Sequence, residues 1–290
     1  MRHRLAISLL TALIAAPTFA TELTEVAKVR WREAYAGFGS FSGLEVNADG
    51  TEFVVVSDKG FYATGALQRT DGHITGVTLL SNGPIPDPNG DPVKRFDIDA
   101  EGLTRTPDGM FWVSFEANHR VWGYSDFTSA AKETARVPNY AKLQNNSSLE
   151  ALASDPEGRL YTTPERSGEL TRPFPVYRYE TGRWSEAFGI PRAGKFLVSG
   201  AEFGPDGKFY VLERHFSGLA FQTRIRRFSV TAEGLTNEET LLESPLGRYD
   251  NLEGIDVWRD DAGNIRVTCI SDDNNGFFQH TEFVEFIVRD

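Results

Sequence analysis

Short apolar runs alternate with turns along most of the chain, and one arrangement of these runs returns five times. Each copy begins with an apolar run that contains a glutamate, as in "DIDAEGLTRTPDGMFWVSFEAN" from Asp97. A turn follows, where Gly and Asp favour a tight reversal of the chain. The second run is rich in β-branched and aromatic residues and ends in an acidic residue, so each copy predicts a β-hairpin.

The copies are spaced about fifty residues apart, which is typical of the blades of a β-propeller. Further strand-like runs follow most of the hairpins, such as "GFYATGAL" and "GVTLLS" after the first. The sequence therefore predicts an all-β protein, a β-propeller of five blades that are four-stranded sheets. The first glutamates of the five copies are Glu45, Glu101, Glu150, Glu202 and Glu253.

The fifth copy has only one further run, "TEFVEFIV", so its blade lacks a strand. The N-terminal run "TEVAKVRWREA" would supply that strand, and N- and C-terminal strands would close the ring without an open sheet edge. Six blades are the alternative, because residues 81–96 are long enough to contain further strands. Helical signal is weak throughout, and its best candidate is residues 128–137.

The first twenty residues have the pattern of a secretory signal peptide. Arg2 and Arg4 precede the apolar run "LAISLLTALIAA", and small residues follow up to Ala20. Because this run is short for a membrane-spanning helix, we expect cleavage near Ala20, with an uncleaved anchor as the alternative. Residues 21–290 would then form a single propeller domain that is periplasmic or secreted, without membrane insertion.

Loss of Arg2 and Arg4 with the signal peptide changes the formal net charge from −11 to −13. Such an acidic protein is not expected to bind nucleic acid or anionic membranes, whereas cation binding is compatible with it. The lone Cys269 lies in the apolar run "IRVTCI", which indicates a core residue.

The recurrent glutamates are the first candidates for a functional site. The innermost strand of each propeller blade runs beside the central axis, so equivalent carboxylates would form a ring there. Such a ring needs protons, hydrogen-bond donors or a cation, and Ca²⁺ accepts about six to eight oxygen ligands of irregular geometry. The alternative role is structural, with each side chain bonding the backbone of the next blade. The metal-ligand candidates are Glu45, Glu101, Glu150, Glu202 and Glu253.

Acidic residues also end the second runs, and they should lie at the same mouth of the channel: Asp58, Glu116, Glu165, Glu213, Asp272 and Asp273. Basic residues follow several of them and are candidates for binding a small anionic substrate such as a phosphoester: Lys59, Arg120, Arg166 and Arg214. The pattern favours Glu101, Glu253, Asp272 and Asp273 as catalytic residues. No Gly-x-Ser-x-Gly motif and no phosphate-binding loop occur, which disfavours serine hydrolases and nucleotide binding.

Several motifs together resemble one family. "DAEGLTRTPDGMFWVSFE", "NSSLEALASDPEGRLYTTPER", "GPDGKFYVLER" and "DNLEGIDVWRDDAGNIRVTCISDDNN" are similar to the phytase-like family described by "esterase-like activity of phytase". The resemblance extends from about Phe41 to Phe286 and departs from the family's C-terminal signature at His280, where arginine is more common. It implies a secreted bacterial β-propeller with phosphoesterase or esterase activity.

The leading interpretation is a secreted, metal-dependent hydrolase of phosphoesters or other esters, with Ca²⁺ as the expected cofactor. A non-catalytic periplasmic propeller that binds a ligand or a protein is one alternative. A calcium-dependent lactonase is another, because the "EG" motifs of this chain are similar to the metal-binding motifs of lactonase propellers.

Overall fold

The computed structural model describes residues 21–94, 97–138 and 148–289, which form five four-stranded antiparallel sheets in a ring. The chain is therefore an all-β, five-bladed propeller, as the hairpin repeat predicts. The predicted signal peptide at residues 1–20 lies outside the described residues. No helix long and apolar enough to cross a membrane occurs in the part of the chain that the structure describes.

Each of the first four blades is continuous in the chain, and its strands follow one another outward from the channel. Blade 1 contains β2 (Phe41–Val46), β3 (Glu52–Ser57), β4 (Phe61–Thr70) and β5 (His73–Pro84). Blade 2 contains β6 (Ala100–Arg105), β7 (Phe111–Phe115), β8 (Arg120–Tyr124) and β9 (Lys132–Glu133). Blade 3 contains β10 (Leu149–Ser154), β11 (Leu160–Pro164), β12 (Phe174–Glu180) and β13 (Arg183–Ile190). Blade 4 contains β14 (Leu197–Phe203), β15 (Lys208–Phe216), β16 (Phe221–Thr231) and β17 (Gly234–Glu243).

Both ends of the chain contribute to blade 5. This blade contains β18 (Asn251–Arg259), β19 (Ile265–Asp272), β20 (Glu282–Arg289) and, outermost, β1 (Glu22–Arg30). β1 pairs antiparallel with β20 over nearly its whole length, from Glu22 opposite Arg289 to Arg30 opposite Glu282. The predicted closure by N- and C-terminal strands is therefore confirmed.

Two expectations from the sequence are wrong. The described residues between β5 and β6 add only an isolated bridge between Pro86 and Pro92, so they do not form a sixth blade. The segment 128–137 is not helical, because its residues Lys132 and Glu133 pair with β8 as the short strand β9. Backbone pairing with the exposed edge of β8 outweighs the weak helix propensity of this segment.

The apolar core is divided into five clusters, one at each interface between neighbouring blades. At the closure between blades 5 and 1, Trp31 stacks on Phe41 with ring centroids 5.1 Å apart. Cys269 is fully buried in the cluster between blades 4 and 5, which confirms it as a core residue. Because each blade buries apolar surface against both neighbours, closure of the ring stabilises every blade.

The innermost strands approach each other so closely that they close the channel at mid-height. Their equivalent positions hold Gly43, Gly102, Ala151, Gly200 and Gly254. A Cβ atom at Gly200 would lie 2.4 Å from the carbonyl oxygen of Glu253, and one at Gly102 would lie 2.5 Å from the amide nitrogen of Leu152. About 10 Å³ of space remains in this glycine layer, near the lower limit for one water molecule. The two ends of the channel are therefore separate sites.

We predict that Gly200→Ala lowers the free energy of unfolding by about 1–3 kcal/mol, because the added methyl group forces blades 4 and 5 apart. Urea-induced unfolding measures this loss. Gly76→Ala in β5 is the matched control, since the new Cβ would first meet the end of the flexible Gln68 side chain. Equal losses in the two variants would contradict the close packing of the inner strands.

Candidate functional site

A β-bulge interrupts the innermost strand of every blade at the same place. The register of β2 with β3 slips between Phe41 and Gly43, and the register of β18 with β19 slips between Leu252 and Gly254. β6, β10 and β14 slip at the equivalent positions. A bulge leaves a residue unpaired and re-aims its side chain. The residues at the bulges, which we call the inner layer, are Ser42, Glu101, Glu150, Ser199 and Glu253.

The ends of the second strands provide an outer layer at the same mouth of the channel. Its members, one per blade, are Asp58, Glu116, Glu165, Arg214 and Asp272. Blade 4 contributes Arg214 and not Glu213, the acid expected from the sequence. Because side chains alternate across a strand, this shift of one residue places Glu213 on the other face. There Glu213 is fully buried, 2.7 Å from Arg224 and 2.6 Å from Arg226.

The two layers surround an acidic cavity of about 250 Å³. Every residue that lines it is polar, and the closed glycine layer lies beneath it. The lining consists of Ser42, Glu101, Glu150 and Glu253 from the inner layer, the whole outer layer, Arg166 and Asn274. Three of the predicted metal ligands therefore come together in this cavity, as do the predicted catalytic residues Glu101, Glu253 and Asp272.

Arg214 lies at the centre of one half of the cavity. Its Nη1 atom lies 2.7 Å from Glu253 Oε1 and donates to Asn251 Oδ1 at 3.0 Å. Its Nη2 atom donates to Glu150 Oε1 at 3.3 Å and to Glu165 Oε1 at 3.2 Å. Burial by itself lowers the pKa of Arg214, but the surrounding carboxylates raise it above its usual value: Glu253, Glu150, Glu165 and, without a contact, Glu101. A single cation from blade 4 thus neutralises acids from blades 3 and 5.

The acids that blades 1 and 2 contribute to the cavity have no ion-pair partner among the described residues. Glu101 is only 7% exposed, and no described residue donates a hydrogen bond to its side chain. The ligand oxygens of Asp99, Glu101 and Glu116 lie within 4.8 Å of one another, and Asp58 Oδ1 is buried without a hydrogen-bond partner. We call Asp58, Asp99, Glu101 and Glu116 the open half of the cavity.

Burial and mutual repulsion disfavour the charged forms of these acids. Burial is the largest cause at Glu101, whose pKa lies well above its usual value, and neighbouring carboxylates raise it further. Burial raises the pKa of Asp272 to about 8, that of Glu116 to about 7 and that of Asp58 to about 6. At neutral pH the cavity therefore needs protons or further positive charge.

Glu45 and Glu202, the other predicted metal ligands, lie at the opposite end of the inner strands. They follow the glycine position by two residues, so the closed layer separates them from the cavity. Glu45 Oε1 accepts a hydrogen bond from the N–H of Arg105 at 2.8 Å, and Glu202 Oε2 accepts one from the hydroxyl of Thr104 at 3.0 Å. The five recurrent glutamates do not form one ring, and these two bond the inner strands of other blades.

The two predicted catalytic aspartates differ in position. Asp272 lines the cavity, where its Oδ1 atom accepts a hydrogen bond from the N–H of Asn274 at 2.6 Å. Its Oδ2 atom accepts another from the side-chain amide of Asn251 at 3.3 Å. Asp273 is not part of the lining, because its carboxylate accepts the N–H of Ser40 at 3.1 Å. It joins the β19–β20 loop to the segment that leads into β2.

Among the predicted substrate-binding residues, Arg166 and Arg214 line the cavity. The guanidinium of Arg214 is occupied by the acids around it. Arg166 is 54% exposed, and its Nε atom donates to Glu165 Oε2 at 3.0 Å. Its two Nη groups have no acceptor among the described residues. Arg166 is therefore the arginine of the cavity that can still bind an anionic ligand.

Arg120 and Lys59 lie outside the cavity lining. The Arg120 guanidinium stacks on the rings of Phe115 and Trp122, 4.0 and 4.2 Å from their centroids, and burial lowers its pKa to about 10. Lys59 Nζ donates to the carbonyl oxygen of Phe38 at 2.6 Å. Arg120 also donates to the carbonyl oxygen of Asp97. Neither residue makes a salt bridge with the acids of the cavity, but attraction to Lys59 and to Arg120 partly offsets the raised pKa values of Asp58 and Asp99.

Asp99 and Asn251 belong to the site but are absent from the sequence-based prediction. They precede Glu101 and Glu253 by two residues, in "DAEG" and "NLEG". Asp99 has a φ of 81°, its N–H donates to the carbonyl of Asp58, and its carbonyl accepts the N–H of Glu116. The polar residue two positions before each "EG" motif is the signal that would have identified them.

Solved structures with a similar architecture show the fold alone. The catalytic domain of a GH62 α-L-arabinofuranosidase from Coprinopsis cinerea is 10% identical, with a TM-score of 0.51 over 93% of this chain and 97% of that chain. The PQQ-bound aldose sugar dehydrogenase from Streptomyces coelicolor is 13% identical, with a TM-score of 0.50 over 91% of this chain and 98% of that chain. No match was found among curated proteins.

A family model described as "Phytase-like: Esterase-like activity of phytase" matches residues 36–275. The matched range contains every residue that lines the acidic cavity. It also covers the four motifs that carry the sequence resemblance, whereas residues 276–286, with His280, lie beyond it. The chain therefore belongs to the phytase-like family.

Proposed function

We propose that the chain is a secreted, calcium-dependent hydrolase of phosphoesters or other esters, with the acidic cavity as its active site. One observation carries the proposal: Glu101 is buried in the cavity beside the carboxylates of Asp99 and Glu116, and no described residue makes a hydrogen bond or a salt bridge with it. A buried carboxylate without a counter-charge costs on the order of several kcal/mol. A cation bound to these three residues would remove that cost.

The donor set of the open half fits Ca²⁺. The candidate ligands are carboxylate oxygens of Asp99, Glu101 and Glu116, and no His or Cys is among the described residues that line the cavity. Ca²⁺ prefers such oxygens and tolerates irregular geometry, whereas zinc and copper prefer nitrogen and sulfur ligands. Export directed by the predicted signal peptide would bring the chain to a calcium-containing compartment.

The charge balance of the cavity supports the same proposal. Among the described residues, seven carboxylic acids line the cavity and Asp99 adds another, against the guanidinium groups of Arg166 and Arg214. Full ionisation would leave a large negative excess in about 250 Å³. Because protons and cations compete for the same carboxylates, the raised pKa values indicate a site that a divalent cation would occupy with release of protons.

The residues around the cavity have complementary tasks in ester hydrolysis. Bound Ca²⁺ would supply Lewis-acid polarisation of the carbonyl or phosphoryl oxygen. Arg166 would bind an anionic group of the substrate through its two Nη groups. Asp272, held in place by Asn274 and Asn251, would accept a proton from the attacking water.

A panel of three substrate types separates the candidate activities. Calcium-dependent turnover of p-nitrophenyl phosphate or p-nitrophenyl acetate would support the proposal. Hydrolysis of lactones alone would favour the lactonase alternative. Calcium binding without turnover of any of the three would favour a non-catalytic binding protein.

Glu101→Gln should have opposite effects on stability in the absence and presence of calcium. Without calcium the variant should melt at a higher temperature than the wild type, because an unpartnered buried carboxylate is lost. With calcium it should melt at a lower temperature, because affinity falls at least about tenfold, or about 1.4 kcal/mol. Thermal unfolding with EDTA and with added calcium measures both effects, and turnover should be lost with the affinity.

Glu202→Gln is the matched control for this experiment. Like Glu101, Glu202 is a buried glutamate of an inner strand, but it lies on the other side of the glycine layer from the cavity. Its calcium affinity should equal that of the wild type. If Glu101→Gln binds calcium as tightly as the wild type, or if both variants lose affinity equally, the proposed metal site is wrong.

The metal-free protein should lose stability as the pH rises from about 5 to about 8. The pKa values of Asp58, Glu116 and Asp272 are raised in the folded state to about 6, 7 and 8, so the folded protein binds more protons than the unfolded chain in this window. We expect a decrease in melting temperature of at least about 4 °C, and saturating calcium should reduce it. A melting temperature in EDTA that is constant or rises over this window would contradict the assignment.

A further inference from the structure

Arg214 interrupts a pattern that the other four blades share. Its blade-equivalent positions in the outer layer are Asp58, Glu116, Glu165 and Asp272, all carboxylic acids. We propose that the Arg214 guanidinium takes the place of a second cation, so that the cavity binds a single divalent ion, in its open half. This inference rests on the proposed function, because it concerns the number and position of the ions in the same site.

The atoms around the guanidinium form a ligand set of the kind that Ca²⁺ binds. Arg214 contacts Glu150 Oε1, Glu165 Oε1, Glu253 Oε1 and Asn251 Oδ1 at 2.7 to 3.3 Å. Three carboxylates and an amide carbonyl are all hard oxygen ligands. They come from blades 3 and 5, and the positive charge from blade 4 lies between them. A divalent ion at this position would bind the same oxygens.

The open half has the corresponding acids, but none of them makes a salt bridge with a described residue, and Lys59 and Arg120 act on Asp58 and Asp99 only at longer range. Glu101 and Glu116 of blade 2 occupy the same two layers as Glu150 and Glu165 of blade 3. The pair in blade 3 contacts Arg214, whereas Glu101 has no hydrogen bond or salt bridge in the part of the chain that the structure describes and interacts with Arg214 only at longer range. Because the guanidinium of Arg214 contacts the acids of blade 3 but not those of blade 2, the exchangeable ion should bind at blade 2.

A fixed cation also holds the acids that it contacts. The guanidinium cannot be removed by a chelator and cannot lose its proton at physiological pH, so Glu150 and Glu253 keep their positions without calcium. Arg214 acts as a positioning residue: it orients one wall of the cavity and leaves the other wall to the metal. An ordinary ion pair between blades would also orient the wall of the cavity, but it would not limit the number of calcium ions that the cavity binds.

The number of bound ions tests the inference. Arg214→Gln removes the charge and leaves the four oxygen ligands, and we expect it to bind two calcium ions where the wild type binds one. Equilibrium dialysis with metal analysis counts the ions directly. Arg214→Lys keeps a positive charge and should bind one ion. Arg166→Gln also loses an arginine that contacts Glu165, but it should still bind one ion.

The dependence of the melting temperature on calcium concentration gives the number of bound calcium ions, even for a variant that is unfolded without calcium. The slope of the melting temperature against the logarithm of the calcium concentration reflects the ions released on unfolding. The slope for Arg214→Gln should be about twice that of the wild type. Two ions by either measurement support the inference. One ion in Arg214→Gln, or failure of this variant to fold even in millimolar calcium, overturns it, whereas absence of any ion in the wild type overturns the proposed function itself.

Discussion

Carboxylates that converge on one axis must be balanced by positive charge, and this constraint governs the mouth of the propeller. Five inner strands bring glutamates of three blades within reach of the acids that end the second strands. Each group loses hydration there, and each repels its neighbours. In the described part of the chain, Arg214 makes salt bridges with the acids of one half of the cavity, whereas the acids around Glu101 have no salt bridge and feel Lys59, Arg120 and Arg214 only at longer range. The function proposed for the site follows from this imbalance.

The fold makes the imbalance possible through two features of its inner strands. Glycine at the narrowest level lets neighbouring backbones approach so closely that the channel closes. A bulge just above this level re-aims one residue per blade, and in four of the five blades the side chain of that residue lines the cavity. The closed layer keeps the cavity away from the lower acids Glu45 and Glu202, which bond backbone and hydroxyl groups instead. A propeller with an open channel would let all these acids interact.

Most of the fold could be predicted from the sequence, because the hairpin repeat has a strong period and clear turn residues. The site could be predicted only in part. An alignment of the five hairpin repeats on their glutamates does not align the glycine position of the inner strands, which sets the register. When the repeats are aligned on this glycine position, Glu45 and Glu202 lie three positions away from Glu101, in another layer of the channel. An error of one residue in the register likewise selects Glu213 instead of Arg214 as the residue that lines the cavity, because adjacent residues of a strand face opposite sides.

Crystals equilibrated with calcium and measured at a long wavelength would reveal whether the open half of the cavity binds a single ion, because the anomalous difference map locates each bound ion. We expect one strong peak, coordinated by Asp99, Glu101 and Glu116, with Arg214 still bound to Glu253. A peak on the far side of the glycine layer, or no peak in the cavity at saturating calcium, would contradict the proposed calcium site.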